Sequence, residues 1–318
     1  METWTTSSFS QAQETDAAKT QAINKSYMDT SIRPQDDFFR YVNGSWLATT
    51  EIPADQGRWG SFLELRELSI AGVKQVMEAA KANISEYPEG SDQYKAIAFY
   101  TIGMDSLLAE KRGHKELLPW FDQIDKLKSK LYGGLGLPDR DYYVDESNEK
   151  FKEIKAKYEA HISKVFQMLG SSEKEANKLA TDVLLLETKL AVASKTRIEM
   201  RDSEGRYNKY SMEELQKATP SLDWSNLTKA FGAHSDEIII SSPDFMLALE
   251  GVFSELKPKT WQNYLKWHLA RMASPYLNHD LVQANFDFYG KELQGTEEMR
   301  ARWKRVLSSA EGAAGEAI

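Results

Sequence analysis

The chain contains no cysteine among its 318 residues. This absence excludes disulfides, thiol nucleophiles and cysteine-ligated zinc, although it leaves the cellular compartment open. No apolar run approaches the ~18–20 residues that a membrane-spanning helix requires, so no transmembrane segment is expected. The formal net charge is −8, and Lys and Arg are scattered instead of forming a basic tract. These two features argue against nucleic acid as a partner.

The two ends of the chain also lack expected signals. The N-terminal stretch has no basic region followed by an apolar one, so it is not a signal peptide. Its polar composition, rich in Ser, Thr and Gln, predicts a disordered leader over residues 1–28. The last residues form a helical run of small side chains that reaches Ile318 without a stop signal. We therefore expect the sequence to be truncated within a helix.

Apolar residues recur at helical spacing along most of the chain. The predicted helices lie at about 61–83, 92–110, 115–131, 148–169, 173–193, 244–254 and 258–273, with a last one after 295. A hairpin-like segment at 195–211, with Gly205 near its tip, and a β-branched run in 236–245 are the candidate strands. The sequence predicts a mainly α, multi-helix fold with a few short β-strands.

Three local signals predict helix ends. Asp36 is the expected N-cap of a short helix over 37–42, and Asn43-Gly44 is expected to form the turn that ends it. Ser172 and Glu175 have the spacing of a capping box at the start of the 173–193 helix.

The histidines do not form a recognisable metal motif. None of the five lies in H-E-x-x-H, and none has a histidine partner at i+4. His268 belongs to an apolar stripe, which favours a packed core histidine with one satisfied nitrogen over a ligand or general base. The other four occur in polar stretches and are expected to be solvated: His114, His161, His234 and His279.

Other candidate motifs favour structural roles. The glycines of 134–136 lack the third glycine and the following helix of a phosphate-binding loop. The carboxylate pairs Asp36/Asp37 and Asp139/Asp141 lie beside Pro or in Gly-rich turns, where Asp caps helices and turns more often than it performs acid–base chemistry.

Glu187 is a carboxylate within an apolar helical stretch. An unpaired charge there would be costly, so a partner is required, and Arg197 or Arg201 is the expected one. A contact with substrate is the alternative.

Arg58 and Arg66 are the strongest candidates for a binding site. Arg58 precedes Trp59 in an irregular segment, and Arg66 lies one to two turns into the following helix. This layout allows both guanidinium groups to approach one point. Arginine captures carboxylates in a bidentate manner, and a neighbouring aromatic ring shields such a pair from water. Spacing alone leaves internal salt bridges or simple surface charge open.

Residues 36–68, DDFFRYVNGSWLATTEIPADQGRWGSFLELREL, closely resemble the N-terminal region of the neprilysin family of zinc endopeptidases. Shorter blocks with the same resemblance follow in the family's order: GLPDRDYY, LLLETKLA, RYNKYS and the closing MRARWKRVLSSAEGAAGEAI. Together they cover about residues 30–318. The cysteine-free composition is similar to that of bacterial members, which suggests a periplasmic or cell-envelope location, although the chain itself leaves localisation open.

The resemblance implies two mostly helical lobes around a cavity that admits peptides. In the family, zinc is bound by two histidines of H-E-x-x-H and a later Glu, and this sequence has no such motif. The resemblance therefore implies that this chain carries no catalytic residue and binds no zinc. Residues 29–85 are expected to form an arm that packs on a missing catalytic lobe. Residues 86–300 would form the helical cap domain, and 301–318 the start of a helix that leads back to the catalytic lobe.

Arg58 and Arg66 match the family's pair that lines the primed side of the cleft and reaches a substrate's C-terminal carboxylate. The predicted function is thus the non-catalytic N-terminal region of a zinc metalloendopeptidase, which encloses and clamps peptide substrates and is inactive alone. Two alternatives stay open at this point. The chain could be a stand-alone helical peptide-binding module, or one half of a split peptidase whose other chain carries H-E-x-x-H.

Overall fold

A computed structural model describes residues 23–127, 134–232 and 235–315. The chain divides into two compact units, Met1–Pro53 and Ala54–Ile318. Across the described ranges the secondary structure is almost entirely helical, with a single two-stranded sheet, so the predicted mainly α fold is confirmed. Within those ranges no helix combines the length and apolarity needed to cross a membrane.

The α-helices of the described residues are, in chain order, α1 (Phe38–Thr49), α2 (Ser61–Ala82), α3 (Asp92–Met104), α4 (Ser106–Arg112), α5 (Leu118–Lys126), α6 (Asp141–Val144), α7 (Glu149–Met168), α8 (Glu173–Ala193), α9 (Met212–Ala218), α10 (Trp224–Ala230), α11 (Pro243–Glu255), α12 (Pro258–Ala273), α13 (His279–Phe286) and α14 (Arg302–Ala314). Short 3₁₀ turns lie at Lys25–Tyr27, Ile84–Glu86, Lys115–Leu117, Glu199–Arg201 and Ser274–Tyr276. The strands are β1 (Asn208–Ser211) and β2 (Glu237–Ile240).

In the first unit, α1 begins one residue later than predicted. Asp37, not Asp36, is the N-cap, and its side chain accepts a hydrogen bond from the backbone N–H of Arg40 at 2.9 Å. This bond satisfies one of the free amides at the start of the helix.

The turn predicted at Asn43-Gly44 is wrong, because α1 continues through both residues to Thr49. The side-chain amide of Asn43 donates to the carbonyl oxygen of Phe39 at 3.0 Å, which is compatible with a helix interior. A Cβ at Gly44 would lie 2.6 Å from the Cβ of Asp29. Glycine therefore serves here for the close approach of a neighbouring segment, not for a turn.

The larger core of the second unit is built mainly by α7, α8, α11 and α12. Apolar residues of α8 recur every three or four positions, as in Ala176, Ala180 and Val183, and all three are inaccessible to solvent. The predicted capping box at the start of α8 is confirmed, since Ser172 and Glu175 exchange side-chain to backbone hydrogen bonds.

A second, smaller core joins α2, α3 and α14. It contains Ile70 and Met77 from α2, Ile97 and Tyr100 from α3, and Leu307 from α14. This packing connects the helix that carries Arg66 to a helix more than 200 positions later in the chain. The α2 helix thus belongs to a packed layer of the second unit.

The segment 195–211 contains a strand, as predicted, but it does not form the predicted hairpin. Strand β1 pairs in antiparallel register with β2, so that Asn208 faces Ile240 and Ser211 faces Glu237. Gly205 lies before β1, in a turn where its N–H donates to the side chain of Asp202 at 3.0 Å. The β-branched run was correctly predicted as a strand, but its partner is distant in sequence.

Several helices differ from their predicted extents. The 92–110 pattern is interrupted at Asp105, whose side chain accepts a bond from Leu108 N–H at 2.8 Å and so begins α4. The predicted 115–131 helix is represented by a 3₁₀ turn and α5, and 128–131 lie outside the described residues. After α13 the helix continues as a π-turn over Asp287–Glu292, which the sequence analysis did not predict.

Candidate functional site

Arg58 and Arg66 lie at the start of α2. Arg58 is in the extended segment just before the N-cap, Gly60, and Arg66 is the sixth residue of the helix. Both side chains are exposed. Neither makes a hydrogen bond or an ion pair with any residue in the described part of the chain. Their guanidinium groups are therefore available to an external anion.

The segment that carries Arg58 is fixed to the residues that precede α14. The carbonyl oxygen of Ala54 accepts hydrogen bonds from the N–H groups of Glu297 and Glu298, at 3.1 and 2.8 Å. Gly57 approaches the same region so closely that an added Cβ would lie 2.7 Å from the carbonyl oxygen of Gln294. Arg58 thus lies between this anchored segment and the start of α2.

A partly buried ion-pair cluster connects the same segment to α2 and α14. The ammonium group of Lys304 lies 3.0 Å from a carboxylate oxygen of Asp55 and 2.8 Å from one of Glu67. Glu67 also accepts from the amide of Gln56 at 3.0 Å and pairs with Arg300 at 3.4 Å. Burial lowers the pKa of Lys304, but its hydrogen bonds to Glu67 and Asp55 outweigh this and raise the pKa above its usual value.

Glu67 was missed by the sequence analysis. It is adjacent to Arg66, and its carboxylate points into the cluster while the Arg66 side chain is exposed. The available signal was the alternation of charge in Glu64, Arg66 and Glu67 at a helix start, but it does not reveal a partner as distant as Lys304.

The first two turns of α2, which carry Arg66, also carry three exposed apolar side chains. Phe62 is 89% exposed, Leu65 54% and Leu68 71%. They follow one another at spacings of three along α2 and therefore share one side of the helix. Contiguous apolar surface on a helix is typical of a binding face.

The predicted partner of Glu187 is wrong. Glu187 is fully buried in α8, and neither Arg197 nor Arg201 contacts it; Arg197 instead pairs with Asp139 at 2.9 Å. The hydroxyl groups of Tyr143 and Tyr158 donate to the Glu187 carboxylate at 2.7 and 3.1 Å.

His268 completes this network through its Nε2, which lies 3.0 Å from Oε1 of Glu187. Its Nδ1 is buried and has no hydrogen-bond partner among the described residues. The prediction of a packed histidine with one satisfied nitrogen is therefore confirmed. Burial, together with the charge of Glu187, raises the pKa of both Tyr143 and Tyr158, so these phenols stay protonated donors.

The prediction that the remaining histidines are solvated is wrong for His161. It is only 6% exposed in α7 and stacks on Phe288, with ring centroids 5.0 Å apart. Burial lowers its pKa to about 4. The prediction failed because Lys and Glu on the other faces of α7 make the surrounding sequence look polar. His234 lies outside the described residues.

The described residues do not fit a zinc ion. Across 23–127, 134–232 and 235–315, no group of three or more His, Asp or Glu side chains is arranged to hold a metal. Glu187 and His268 are adjacent, but tyrosine hydroxyls occupy the other positions around the carboxylate. No step of the chemistry is therefore assigned to a metal held by these residues.

Comparison with known proteins places these features in a family. The model of the N-terminal domain of peptidase family M13 matches residues 34–132 and 128–318. Endothelin-converting enzyme 1 of Mus musculus is 25% identical over 337 residues, and neprilysin-3 of Drosophila melanogaster is 23% identical over 346. Each alignment covers 92% of this chain, and 43% and 44% of the respective relative.

Among solved structures, the zinc metalloprotease Zmp1 of Mycobacterium tuberculosis, in complex with an inhibitor, superposes with a TM-score of 0.85 at 28% identity. The match covers 93% of this chain and 50% of that one. The chain thus spans about half the length of the relatives that it resembles.

Proposed function

The chain belongs to peptidase family M13, the neprilysin family, and on this basis we propose that it forms the substrate-holding part of a metalloendopeptidase. In this proposal Arg58 and Arg66 bind the C-terminal carboxylate of a peptide substrate. The chain supplies binding and enclosure, and zinc chemistry belongs to a catalytic lobe with which it acts.

The observation that carries this proposal is the state of the two arginines. Two basic side chains close to the start of α14, Lys304 and Arg300, already form ion pairs with Glu67. Arg58 and Arg66 have no such partner in the described part of the chain. Two guanidinium groups without an ion pair to described residues, one just before α2 and one in its second turn, favour an anion, and a carboxylate matches their planar donors.

Anchoring makes the site suitable for selective binding. A clamp on a mobile loop would lose entropy when the substrate binds, whereas a fixed segment has already lost it. The bonds from Glu297 and Glu298 to Ala54, and the cluster around Lys304, support such preorganisation. Arg66 gains the same benefit from the packing of Ile70 and Met77 in the smaller core.

The domain boundaries are also part of the proposal. Residues 86–300 would enclose the substrate as a helical cap, and 29–85 would pack on the catalytic lobe, followed by the connecting helix that starts at 301. The exposed apolar face of α2, Phe62, Leu65 and Leu68, supports the second assignment, because such a face requires a covering partner.

The test compares peptides that end in a free carboxylate with the same peptides as C-terminal amides. Calorimetric titration of the 318-residue protein should show the acid binding about tenfold more tightly, as expected for loss of a charge-assisted pair. Arg58→Gln and Arg66→Gln should each reduce this preference. Arg201→Gln is the matched control, since Arg201 is also exposed and has no ion pair with described residues. An unchanged preference in the double variant would refute the clamp.

A further inference from the structure

A second potential binding site lies between α5, α12 and the π-turn. It is a cleft of about 740 Å³, a volume within the range of small-molecule sites. Its walls are mainly apolar, with Trp120 and Ile124 from α5 and Leu265, Leu269 and Met272 from α12. Trp120 and Met272 are 57% and 68% exposed, although both are large apolar side chains.

Arg271 is the one fully charged side chain among the described residues that line this cleft, and none of them is acidic. Its Nη1 donates to the carbonyl oxygen of Gly136 at 3.3 Å, and it makes no ion pair with any described residue. The carboxylate of Glu187 forms no ion pair with Arg271. It is hydrogen-bonded instead to Tyr143, Tyr158 and His268. The formal charge among the side chains that line the cleft is therefore positive.

Tyr289 provides a second polar group beside Arg271. It belongs to the π-turn Asp287–Glu292, and the guanidinium carbon of Arg271 lies 5.8 Å from the centre of its ring. The Tyr289 hydroxyl is buried near that guanidinium but has no hydrogen bond of normal geometry to any described residue. An unsatisfied buried hydroxyl is costly, and π-turns interrupt helices frequently at functional sites.

We propose that this cleft binds a carboxylate with an extended hydrocarbon body, with Arg271 and Tyr289 donating to the carboxylate and the apolar walls covering the chain. The positive charge of Arg271 favours an anionic group on the ligand, and the mainly apolar walls favour a hydrocarbon chain for the rest of it. A peptide would bring one N–H and one C=O per residue into the cleft, more polar groups than the side-chain amides of Gln123 and Asn285 can bond between walls that are otherwise mainly apolar. A hydrocarbon chain needs none. Arg58 and Arg66 do not line this cleft, and the proposal does not depend on the proposed function.

The test uses decanoate and its neutral analogue decanamide, titrated calorimetrically into the full 318-residue protein. We expect decanoate to bind about tenfold more tightly than decanamide, and this difference to shrink as salt increases. Arg271→Gln should remove the preference for the acid. Trp120→Ala, at an exposed position, should weaken the acid and the amide equally. Arg58→Gln combined with Arg66→Gln should leave decanoate binding unchanged.

Tyr289→Phe provides an independent test in case Arg271→Gln does not fold, since it keeps the aromatic ring and removes only the hydroxyl. It should weaken decanoate severalfold and leave decanamide unchanged. Equal affinities of the unaltered protein for decanoate and decanamide would overturn the proposal. Unchanged decanoate binding in both Arg271→Gln and Tyr289→Phe would overturn it as well. Loss of decanoate binding in the Arg58/Arg66 variant would overturn it too, since the acid would then bind at the clamp. Arg271-dependent binding of acetyl-leucyl-phenylalanine without binding of decanoate would reject the hydrocarbon ligand.

Discussion

The hydroxyl of Tyr143 donates a hydrogen bond to Oε2 of Glu187 at 2.7 Å and thereby joins α6 to α8 across the larger core. The same hydroxyl accepts bonds from the backbone N–H groups of Gly136 and Leu137, at 3.1 and 2.8 Å. One buried tyrosine thus holds the Gly-rich segment before α6 and the charge of Glu187 in one network. Arg271, which lines the proposed cleft, is connected to this network because its guanidinium group donates to the carbonyl oxygen of Gly136.

Replacing Glu187 with Gln should destabilise the protein by about 2–4 kcal/mol, because an amide cannot accept from both tyrosines and from His268 at once. Urea-induced unfolding followed by circular dichroism measures this change. Glu173→Gln, at an exposed position of the same helix without an ion pair to described residues, should cost about 1 kcal/mol or less. Equal losses in the two variants would contradict a structural role for the buried carboxylate.

Gly136→Ala should be strongly destabilising. The new Cβ would overlap the hydroxyl of Tyr158, which is buried and bonded to both Glu187 and the indole of Trp267. We expect a loss of about 3 kcal/mol or more in the free energy of unfolding. Gly312→Ala is the matched control, since its Cβ would meet nothing within 4 Å in α14. It should instead stabilise by about 0.5–1 kcal/mol. Tolerance of Ala at 136 would show that the network can rearrange.

His161 predicts a pH dependence of stability. Its pKa is about 4 in the folded protein, against the ordinary value of 6.5 that the unfolded chain keeps, so below pH 6.5 the unfolded chain binds a proton that the folded one does not. This stability is fully present above 6.5 and is lost as the pH falls towards 4. Between about pH 7.5 and about pH 5 the expected loss is ~2 kcal/mol.

The control for this prediction is His161→Phe, which keeps an aromatic ring against Phe288 and removes the unpartnered Nε2. The unfolding free energies of the two proteins, measured at a series of pH values, should diverge by that amount as the pH falls. Parallel curves would contradict a buried, neutral His161.

Glu67 should act as a positioning residue for the proposed clamp. Glu67→Gln removes its ion pairs to Lys304 and Arg300, and so loosens the connection between α2 and the segment of Arg58. We expect a loss of a few fold in affinity for peptides with a free C-terminal carboxylate and little change for their amides. Glu64→Gln, in the same turn and without an ion pair to described residues, is the control. Equal weakening of acid and amide would indicate a purely structural role.

Features of the fold that depend on neighbouring residues could be predicted from the sequence, and those that depend on distant residues could not. The span of α2, the capping box at Ser172 and the single satisfied nitrogen of His268 were predictable, because each depends on residues within a few positions. The partners of Glu187 were not, since Tyr143 is 44 positions away and nothing local distinguishes its hydroxyl from the guanidinium of Arg197.

The same reasoning applies to the β-strands and the clamp. The β-branched run at Glu237–Ile240 was evident, but its pairing with Asn208–Ser211 depends on the helices between them. The sequence indicated Arg58 and Arg66 through their spacing and family resemblance. It did not reveal the cluster around Lys304 that fixes them, because that cluster forms only when α14 packs on α2.

The central claim is that this chain holds peptide substrates and does not itself cleave them. Its most direct test is the zinc content of the purified protein together with cleavage of a quenched peptide library, with and without a chelator. The account predicts peptide binding without stoichiometric zinc and without chelator-sensitive cleavage. Bound zinc with chelator-sensitive turnover would contradict it, because the chain would then contain a complete catalytic site.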